Sequence, residues 1–337
     1  MRLRLMCVFL LAALSASAAP GANRERARTQ RCEGRLTATL DAARINDPNL
    51  RDRVACGSAG AAVLRAQILL DRANYSCGEI DAVYGTNLRR AIAAFQKSWG
   101  LEPDGVVTAA VWDLLDRDRA QVLGTYTIQA EDVAGPFQKI PSDMMAKAEL
   151  PSLGFQSPAE ALAEKFHVSP ALLARLNPGK AFDRAPEVIL VPNVLTAPPG
   201  KAASIVVSES NRCVCALDAS GRMLSYYPAT IGSEHDPLPI GSWKIEGVRF
   251  NPVFFYNPQL FWDAAPNHSK TKIAAGPNNP VGVVWIDLSK PHYGIHGTPE
   301  PSTIGRRQSH GCIRLTNWDA AELAQMIAPG TAARLEP

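Results

Sequence analysis

The hydrophobic pattern changes along the chain, and the first regular pattern is helical. Within residues 58–118, the apolar residues Leu88, Ile92, Phe95 and Trp99 are separated by four, three and four positions. This spacing places their side chains on one face of a helix. Turns containing Gly and Asp separate this stretch from apolar stretches on either side. We therefore expect a small module of three helices.

Residues 126–193 combine signals for strands and helices. Ser157-Pro158 and Ser169-Pro170 each supply an N-cap residue followed by a proline at the first helical position. An apolar run at residues 188–191 indicates a strand, and a similar run opens the segment. The predicted order is strand, helix, helix, strand, with a long insert at about residues 133–156 before the first helix.

The pattern changes to short apolar or alternating runs after a proline-rich linker at residues 194–202. Such runs are typical of strands, and Ala219-Ser220-Gly221 supplies a hairpin turn between two of them. One helix is expected after Thr316. Residues 203–337 are therefore predicted to form a mostly antiparallel sheet with one or two helices, and the whole chain a multidomain α+β protein.

The N-terminal residues differ from the rest. Residues 1–19 combine Arg2 and Arg4 with a short apolar core and an Ala-x-Ala site, which is typical of a secretory signal peptide. Residues 20–57 are polar and predict a loosely ordered lead-in. Cleavage lowers the formal net charge from +3 to +1, which gives no reason to expect a nucleic-acid partner. No later stretch approaches 18 apolar residues, so no membrane span is expected after cleavage.

Six cysteines remain after the leader, and export favours their pairing. Cys32, Cys56 and Cys77 are close enough in sequence to form one bridge among themselves. Cys213 and Cys215 would share one face of a strand, and we do not expect them to bridge each other. A Cys-x-Cys pair without a matching second pair is not a usual zinc spacing, so no metal is expected.

The candidate chemistry lies in two short runs, His296-Gly297-Thr298 and Ser309-His310-Gly311-Cys312-Ile313-Arg314. A cysteine activated by a histidine is a nucleophile for acyl transfer, which predicts Cys312 as the nucleophile and His296 as the proton acceptor and donor. A neighbouring imidazolium would lower the pKa of the thiol from about 8.5. The carbonyl of Gly297 is expected to orient the imidazole, and the backbone at Gly311 to contact a developing oxyanion.

These runs, together with Ile304-Gly305 between them, resemble the signature of the L,D-transpeptidase catalytic family. Upstream matches are Pro239-x-Gly241 with Trp243, and the Gly276 to Gly282 segment followed by Trp285-Ile286. The resemblance spans residues 203–336. It departs at Asn251-Pro252-Val253-Phe254, where many members carry a Trp.

Two upstream segments also resemble known modules. Residues 58–118 resemble the peptidoglycan-binding helical domain through the Gly78-x-x-Asp81-x-x-Tyr84-Gly85 turn; the alternative is a generic three-helix interaction domain. Residues 126–193 resemble a LysM glycan-binding module through the predicted element order and Leu176-Asn177-Pro178; the alternative is a structural spacer.

The catalytic resemblance implies a periplasmic enzyme that acts on peptidoglycan stem peptides and glycan strands without a metal or cofactor. Cys312 would form a thioester on a tetrapeptide stem, and a second stem would resolve it into a 3→3 cross-link; a wall protein is another acceptor. Ser309 and His310 would support the loop. Arg314 would bind a substrate carboxylate or form a structural salt bridge. The alternatives are an L,D-carboxypeptidase and a non-catalytic wall-binding scaffold.

Overall fold

The computed structural model describes residues 34–194 and 197–337. The signal peptide predicted at residues 1–19 and the cysteine Cys32 lie outside the described residues. Within them the chain forms eight α-helices and thirteen strands. A helical module, a middle module and a large sheet follow one another, which confirms the predicted α+β architecture.

The helical module contains the three helices predicted for it, preceded by one short helix. They are α1 (Ala42–Asn46), α2 (Ala61–Arg72), α3 (Thr86–Ser98) and α4 (Ala109–Leu115). Leu88, Ile92 and Phe95 are buried along one face of α3, as their spacing predicted. Trp112 on α4 is fully buried, and its indole nitrogen donates to the carbonyl of Asp52 at 3.0 Å. Burial of these large side chains is what holds the short helices together.

The described part of the lead-in, residues 34–57, packs against the helical module and is not loosely ordered. Ile45 and Val54 are fully buried, and Val54 pairs with Val107 of the helical module as an isolated antiparallel bridge. The prediction is wrong for residues 34–57, because these apolar residues are too sparse to form a periodic stripe but still pack beneath the helices.

The middle module has the predicted order of strand, helix, helix, strand. Its elements are β1 (Leu123–Thr127), α5 (Met144–Ala148) within the insert, α6 (Pro158–Lys165), α7 (Pro170–Leu176) and β2 (Val188–Pro192). The two strands pair antiparallel. The side chains of Ser157 and Ser169 accept backbone N–H bonds at the starts of α6 and α7, which confirms both predicted helix starts.

The third region is built on a nine-stranded sheet in the order β5-β4-β3-β13-β7-β10-β11-β12-β6. The strands are β3 (Ser204–Ser208), β4 (Cys213–Leu217), β5 (Met223–Pro228), β6 (Thr230–Ile231), β7 (Gly241–Phe250), β10 (Val284–Leu288), β11 (Gly294–His296), β12 (Ile313–Arg314) and β13 (Ala332–Glu336), and a separate hairpin contains β8 (Phe254–Tyr256) and β9 (Thr271–Ile273). Helix α8 (Asn317–Met326) begins after its N-cap Thr316. The sheet is mostly antiparallel as predicted, with parallel pairing of β3 with β13 and of β11 with β12.

The helical module packs directly on the outer strands of this sheet. Tyr226 on β5 exchanges backbone hydrogen bonds with Asn74 and Ser76, at 2.9 Å each. The buried side chains of Cys213, Cys215 and Tyr226 belong to the same hydrophobic cluster as the core of the helical module. The first and third regions therefore share a continuous core.

The cysteines of the described residues differ in their state. Cys56 is disulfide-bonded, whereas Cys77 is a free, buried thiol. Cys213 and Cys215 are also free and buried, with their sulfur atoms 3.8 Å apart, which confirms that they do not bridge each other. No helix among the described residues is both long and apolar enough to cross a bilayer.

Candidate active site

The site is built on the parallel pairing of β11 with β12. Ile295 lies opposite Ile313, and His296 lies opposite Arg314. Both isoleucines are fully buried in the sheet core. Side chains alternate between the faces of a strand, so His296, Arg314 and Cys312 all project from the other face. The fold therefore brings the predicted nucleophile and the predicted base, 16 positions apart, to one face of adjacent strands.

Backbone geometry fixes which nitrogen of His296 carries a proton. Its Nδ1 atom lies 2.7 Å from the carbonyl oxygen of Gly297. A carbonyl can only accept, so Nδ1 is protonated, and Nε2 bears a lone pair whenever the ring is neutral. The ring stacks on Trp285 of β10, with centroids 5.5 Å apart and planes at 18°. Burial, reinforced by the positive charge of Arg314, lowers the pKa of His296 to about 3, although the bond to Gly297 opposes this shift.

Cys312 is a neutral thiol directly before the strand that pairs with the strand of this neutral imidazole. The surrounding protein displaces water and raises the pKa of Cys312, while a backbone bond from Gly294 and the charge of Arg314 oppose the increase. The sulfur atom also lies 3.8 Å from the carbonyl oxygen of His292. The expected lowering of the thiol pKa by an imidazolium is wrong here, because burial disfavours both charges of such an ion pair.

The loop before Cys312 is held by its own side chains. Ser309 Oγ donates to the carbonyl of Cys312 at 2.6 Å, and Ser309 N donates to the carbonyl of Gly232 at 3.1 Å. The Nε2 atom of His310 lies 2.9 Å from a carboxylate oxygen of Asp263. Both side chains thus connect the loop to neighbouring residues.

Gly311 occupies a conformation that favours glycine. Its φ is +94°, and a Cβ atom at this position would approach the ring of Tyr293 to 3.0 Å. A larger residue would strain the backbone and displace that ring. The orientation of the N–H groups at Gly311 and Cys312 therefore depends on a backbone conformation at position 311 that other residues would adopt only with strain.

The guanidinium of Arg314 lies on the same face as the thiol. Burial lowers its pKa, and its Nε atom is buried without a hydrogen-bond partner in the structure. A buried donor with no partner costs about 1–3 kcal/mol. An anionic group that entered the site would satisfy it.

Sequence reasoning assigned no role to two further residues near His296. Trp285 supplies the stacking surface, and its position opposite His296 follows only from the pairing of β10 with β11. Asn317, the first residue of α8, packs against Gly297: its Oδ1 atom would lie 2.2 Å from a Cβ atom placed there. Glycine at position 297 was the only sequence signal of this close approach. In residues 34–194 and 197–337, no cluster of three His, Cys, Asp or Glu side chains is arranged to hold a metal ion.

Comparison with known proteins identifies two domains in the chain. The family model of the L,D-transpeptidase catalytic domain matches residues 202–335, and that of a putative peptidoglycan binding domain matches residues 59–115. The putative L,D-transpeptidase YkuD of Bacillus licheniformis is 32% identical over 180 residues, which are 53% of this chain and 93% of that protein. The protein of the same name from Bacillus subtilis is 32% identical over 171 residues, 50% of this chain and 88% of that protein.

Among solved structures, an L,D-transpeptidase from Xylanimonas cellulosilytica aligns with 82% of this chain and 94% of its own, at 16% identity and a TM-score of 0.36. The chain belongs to the L,D-transpeptidase family of acyl-transferring enzymes, and its catalytic domain follows a peptidoglycan-binding domain.

Proposed function

We propose that the protein is a periplasmic peptidoglycan L,D-transpeptidase in which Cys312 forms a thioester with a tetrapeptide stem. The observation that carries this proposal is the bond from His296 Nδ1 to the Gly297 carbonyl. It leaves the Nε2 lone pair of a neutral imidazole on the face that also bears Cys312. A base in this state accepts a thiol proton as the sulfur attacks, so no preformed ion pair is needed.

In the acylation step, Cys312 Sγ attacks the carbonyl carbon between meso-diaminopimelate and D-Ala. The S–C bond forms, and the thiol proton moves to His296 Nε2. The N–H groups at Gly311 and Cys312 stabilise the oxyanion. The C–N bond then breaks, and D-Ala leaves with the proton that His296 returns to its nitrogen.

The acceptor decides the second half of the reaction. The side-chain amine of another stem attacks the thioester carbonyl and gives up a proton to His296. The new C–N bond is the 3→3 cross-link. The C–S bond breaks, and His296 returns the proton to the sulfur. Water in the same position would make the protein an L,D-carboxypeptidase, and a lysine amine would attach a wall protein. A non-catalytic scaffold is the remaining alternative, and it would leave Cys312 without an acyl group.

Arg314 is proposed to bind a carboxylate of the stem. Guanidinium and carboxylate form paired hydrogen bonds, and the buried, unpartnered Nε atom supplies one of these donors. This use of Arg314 is favoured over a structural salt bridge, because a donor already bound to a protein carboxylate would not remain unsatisfied.

The other regions are assigned by the same proposal. Residues 1–19 are a signal peptide for export, and residues 58–118 dock the enzyme on the wall. Residues 126–193 form a LysM-like module that binds glycan or acts as a spacer, and residues 194–202 link it to the catalytic domain at 203–337.

Purified protein incubated with defined tetrapeptide stems tests the proposal, with products separated by chromatography and weighed by mass spectrometry. A cross-linked dimer of stems with release of D-Ala is expected. Tripeptide alone would indicate the carboxypeptidase alternative. Unchanged stems would contradict both reactions and favour the scaffold.

A further inference from the structure

Helix α6 of the middle module holds two asparagines of the catalytic domain. Its residues Glu160 and Glu164 lie one turn apart on the same helix face. Glu160 Oε1 accepts a hydrogen bond from Asn278 Nδ2, and Glu164 Oε1 accepts one from Asn317 Nδ2, both at 2.9 Å. The middle module therefore contacts the catalytic domain through directed polar bonds to particular residues.

Asn317 is fixed on all sides. It is buried, its Oδ1 atom accepts from the backbone N–H of Val283 at 3.1 Å, and its Nδ2 atom also donates to the carbonyl of Pro277 at 3.1 Å. A Cβ atom on Gly282 would lie 2.0 Å from Asn317 Oδ1, and one on Gly297 would lie 2.2 Å from it. The amide thus packs against two glycine backbones, and a Cβ atom at either glycine would collide with it.

The Gly297 backbone is the one that orients the proposed base. Its carbonyl accepts the Nδ1 proton of His296 at 2.7 Å, and so selects the imidazole tautomer. A shift of Asn317 would release its contact with Gly297 and leave that carbonyl less firmly held. An unbroken series of contacts leads from Glu164 through Asn317 and Gly297 to His296.

The pKa of Glu164 is unusual for a carboxyl group that only packs against a neighbouring domain. Burial raises the pKa of Glu164 to about 7, and the bond from Asn317 opposes this increase. The carboxyl group borders a cavity of about 540 Å³ between the middle module and α8. A partly buried carboxyl group contributes little net stability, since its desolvation offsets the bond that it makes. The presence of Glu164 here is better explained by the orientation that its hydrogen bond gives to the Asn317 side chain.

We propose that Glu164 is a positioning residue for the reaction, acting through Asn317 and Gly297 to hold the base His296 in its reactive tautomer. This inference rests on the proposed role of His296. It gives the middle module a part in the chemistry, independent of whether the module binds glycan.

Three variants of the full chain test it. Glu164→Leu removes the acceptor but fills its volume with apolar atoms, so the protein should melt at or above the wild-type temperature. Glu164→Gln keeps an acceptor oxygen at the same reach. Glu131→Ala is the matched control, because Glu131 is an exposed carboxylate bordering the same cavity.

The rate of thioester formation on a tetrapeptide stem should fall about tenfold in Glu164→Leu, with KM unchanged. It should return to within about threefold of wild type in Glu164→Gln and stay at the wild-type value in Glu131→Ala. Proton–nitrogen NMR of His296 should show a single Nδ1–H tautomer in the wild type and a mixture in Glu164→Leu.

A wild-type rate and a single tautomer in Glu164→Leu would overturn the inference. Equal losses in Glu164→Gln and Glu164→Leu would also overturn it, since the acceptor oxygen would then not matter. If the wild type forms no thioester, the proposed function fails by itself. The tautomer measurement would still decide whether Glu164 orients His296.

Discussion

The catalytic domain contains two thiol sites, and only one has the surroundings of a nucleophile. Cys213 and Cys215 lie on β4 with their sulfur atoms 3.8 Å apart, and a hydrogen bond from Cys215 lowers the pKa of Cys213. Cys312 has a raised pKa. By acidity alone, Cys213 would be the more reactive thiol.

The difference lies in what covers each sulfur. The helical module packs over Cys213 and Cys215 and includes both in its core, whereas Cys312 is partly exposed and shares a strand face with His296. A nucleophile needs a base and a path for substrate as well as a favourable pKa. The proposal of Cys312 as the nucleophile therefore rests on its position in the sheet, and not on the number or acidity of the thiols.

The largest expected effect comes from removing one thiol from each site. Cys312→Ala should lower the rate of D-Ala release by about 10⁴-fold or more, because the nucleophile is lost. Cys213→Ala should keep the wild-type rate and lower only the melting temperature, since it removes a buried side chain. Chromatography measures D-Ala release. An inactive Cys213→Ala variant would contradict the assignment of Cys312 as the nucleophile.

The base gives the next largest effect. His296→Ala should reduce the rate of D-Ala release by about 10³-fold, because the proposed acceptor of the thiol proton is lost. His268 offers a matched control: it binds Tyr256 and Asp143 away from β11, and His268→Ala should keep the rate within about threefold. Comparable losses of rate in His296→Ala and His268→Ala would contradict the assignment of His296 as the base.

The pH dependence of alkylation separates the two sites directly. Below the raised pKa of Cys312, the thiolate fraction grows about tenfold per pH unit, so its labelling by iodoacetamide should rise steadily from pH 6 to 9. Cys213 and Cys215 should remain unlabelled until the protein is unfolded. A labelling rate for Cys312 that is flat between pH 5 and 8 would indicate a thiolate–imidazolium pair and contradict the neutral site.

The smallest effect concerns the packing of the helical module against the catalytic loop. Asn87 Nδ2 donates to the carbonyl of Ile304 at 2.9 Å, and Gly305 (φ +72°) lies against the same side chain. Asn87→Ala should cost about 1 kcal/mol in the free energy of unfolding and reduce the rate only a few-fold. Urea denaturation measures the free energy of unfolding, and D-Ala release measures the rate. No change in either quantity would show that this contact does not support the loop.

Much of the fold could be predicted because its signals are local. Helix α3 follows from the spacing of Leu88, Ile92 and Phe95, and the helix starts at Ser157 and Ser169 follow from capping chemistry. The lead-in could not be predicted in this way. The burial of Ile45 and Val54 depends on a surface that the distant helices α2 and α4 create, and no periodicity in the lead-in encodes that surface.

The features of the site also divide into those set by local sequence and those set by distant residues. The two motifs were enough to propose Cys312, His296 and the Gly297 carbonyl, since those residues are adjacent or lie in one short stretch. The protonation state was predicted wrongly, because the pKa of His296 depends on burial beneath distant residues such as Trp285. The bond from Asn317 to Glu164 spans 153 positions, so no sequence pattern links them.

Intact-protein mass spectrometry during turnover of a tetrapeptide stem tests the central claim most directly. We predict an adduct with the mass of the stem minus D-Ala, localised to Cys312 after digestion, present in Cys213→Ala and missing in Cys312→Ala. An adduct that persists in Cys312→Ala, or one localised to Cys213, would contradict the account.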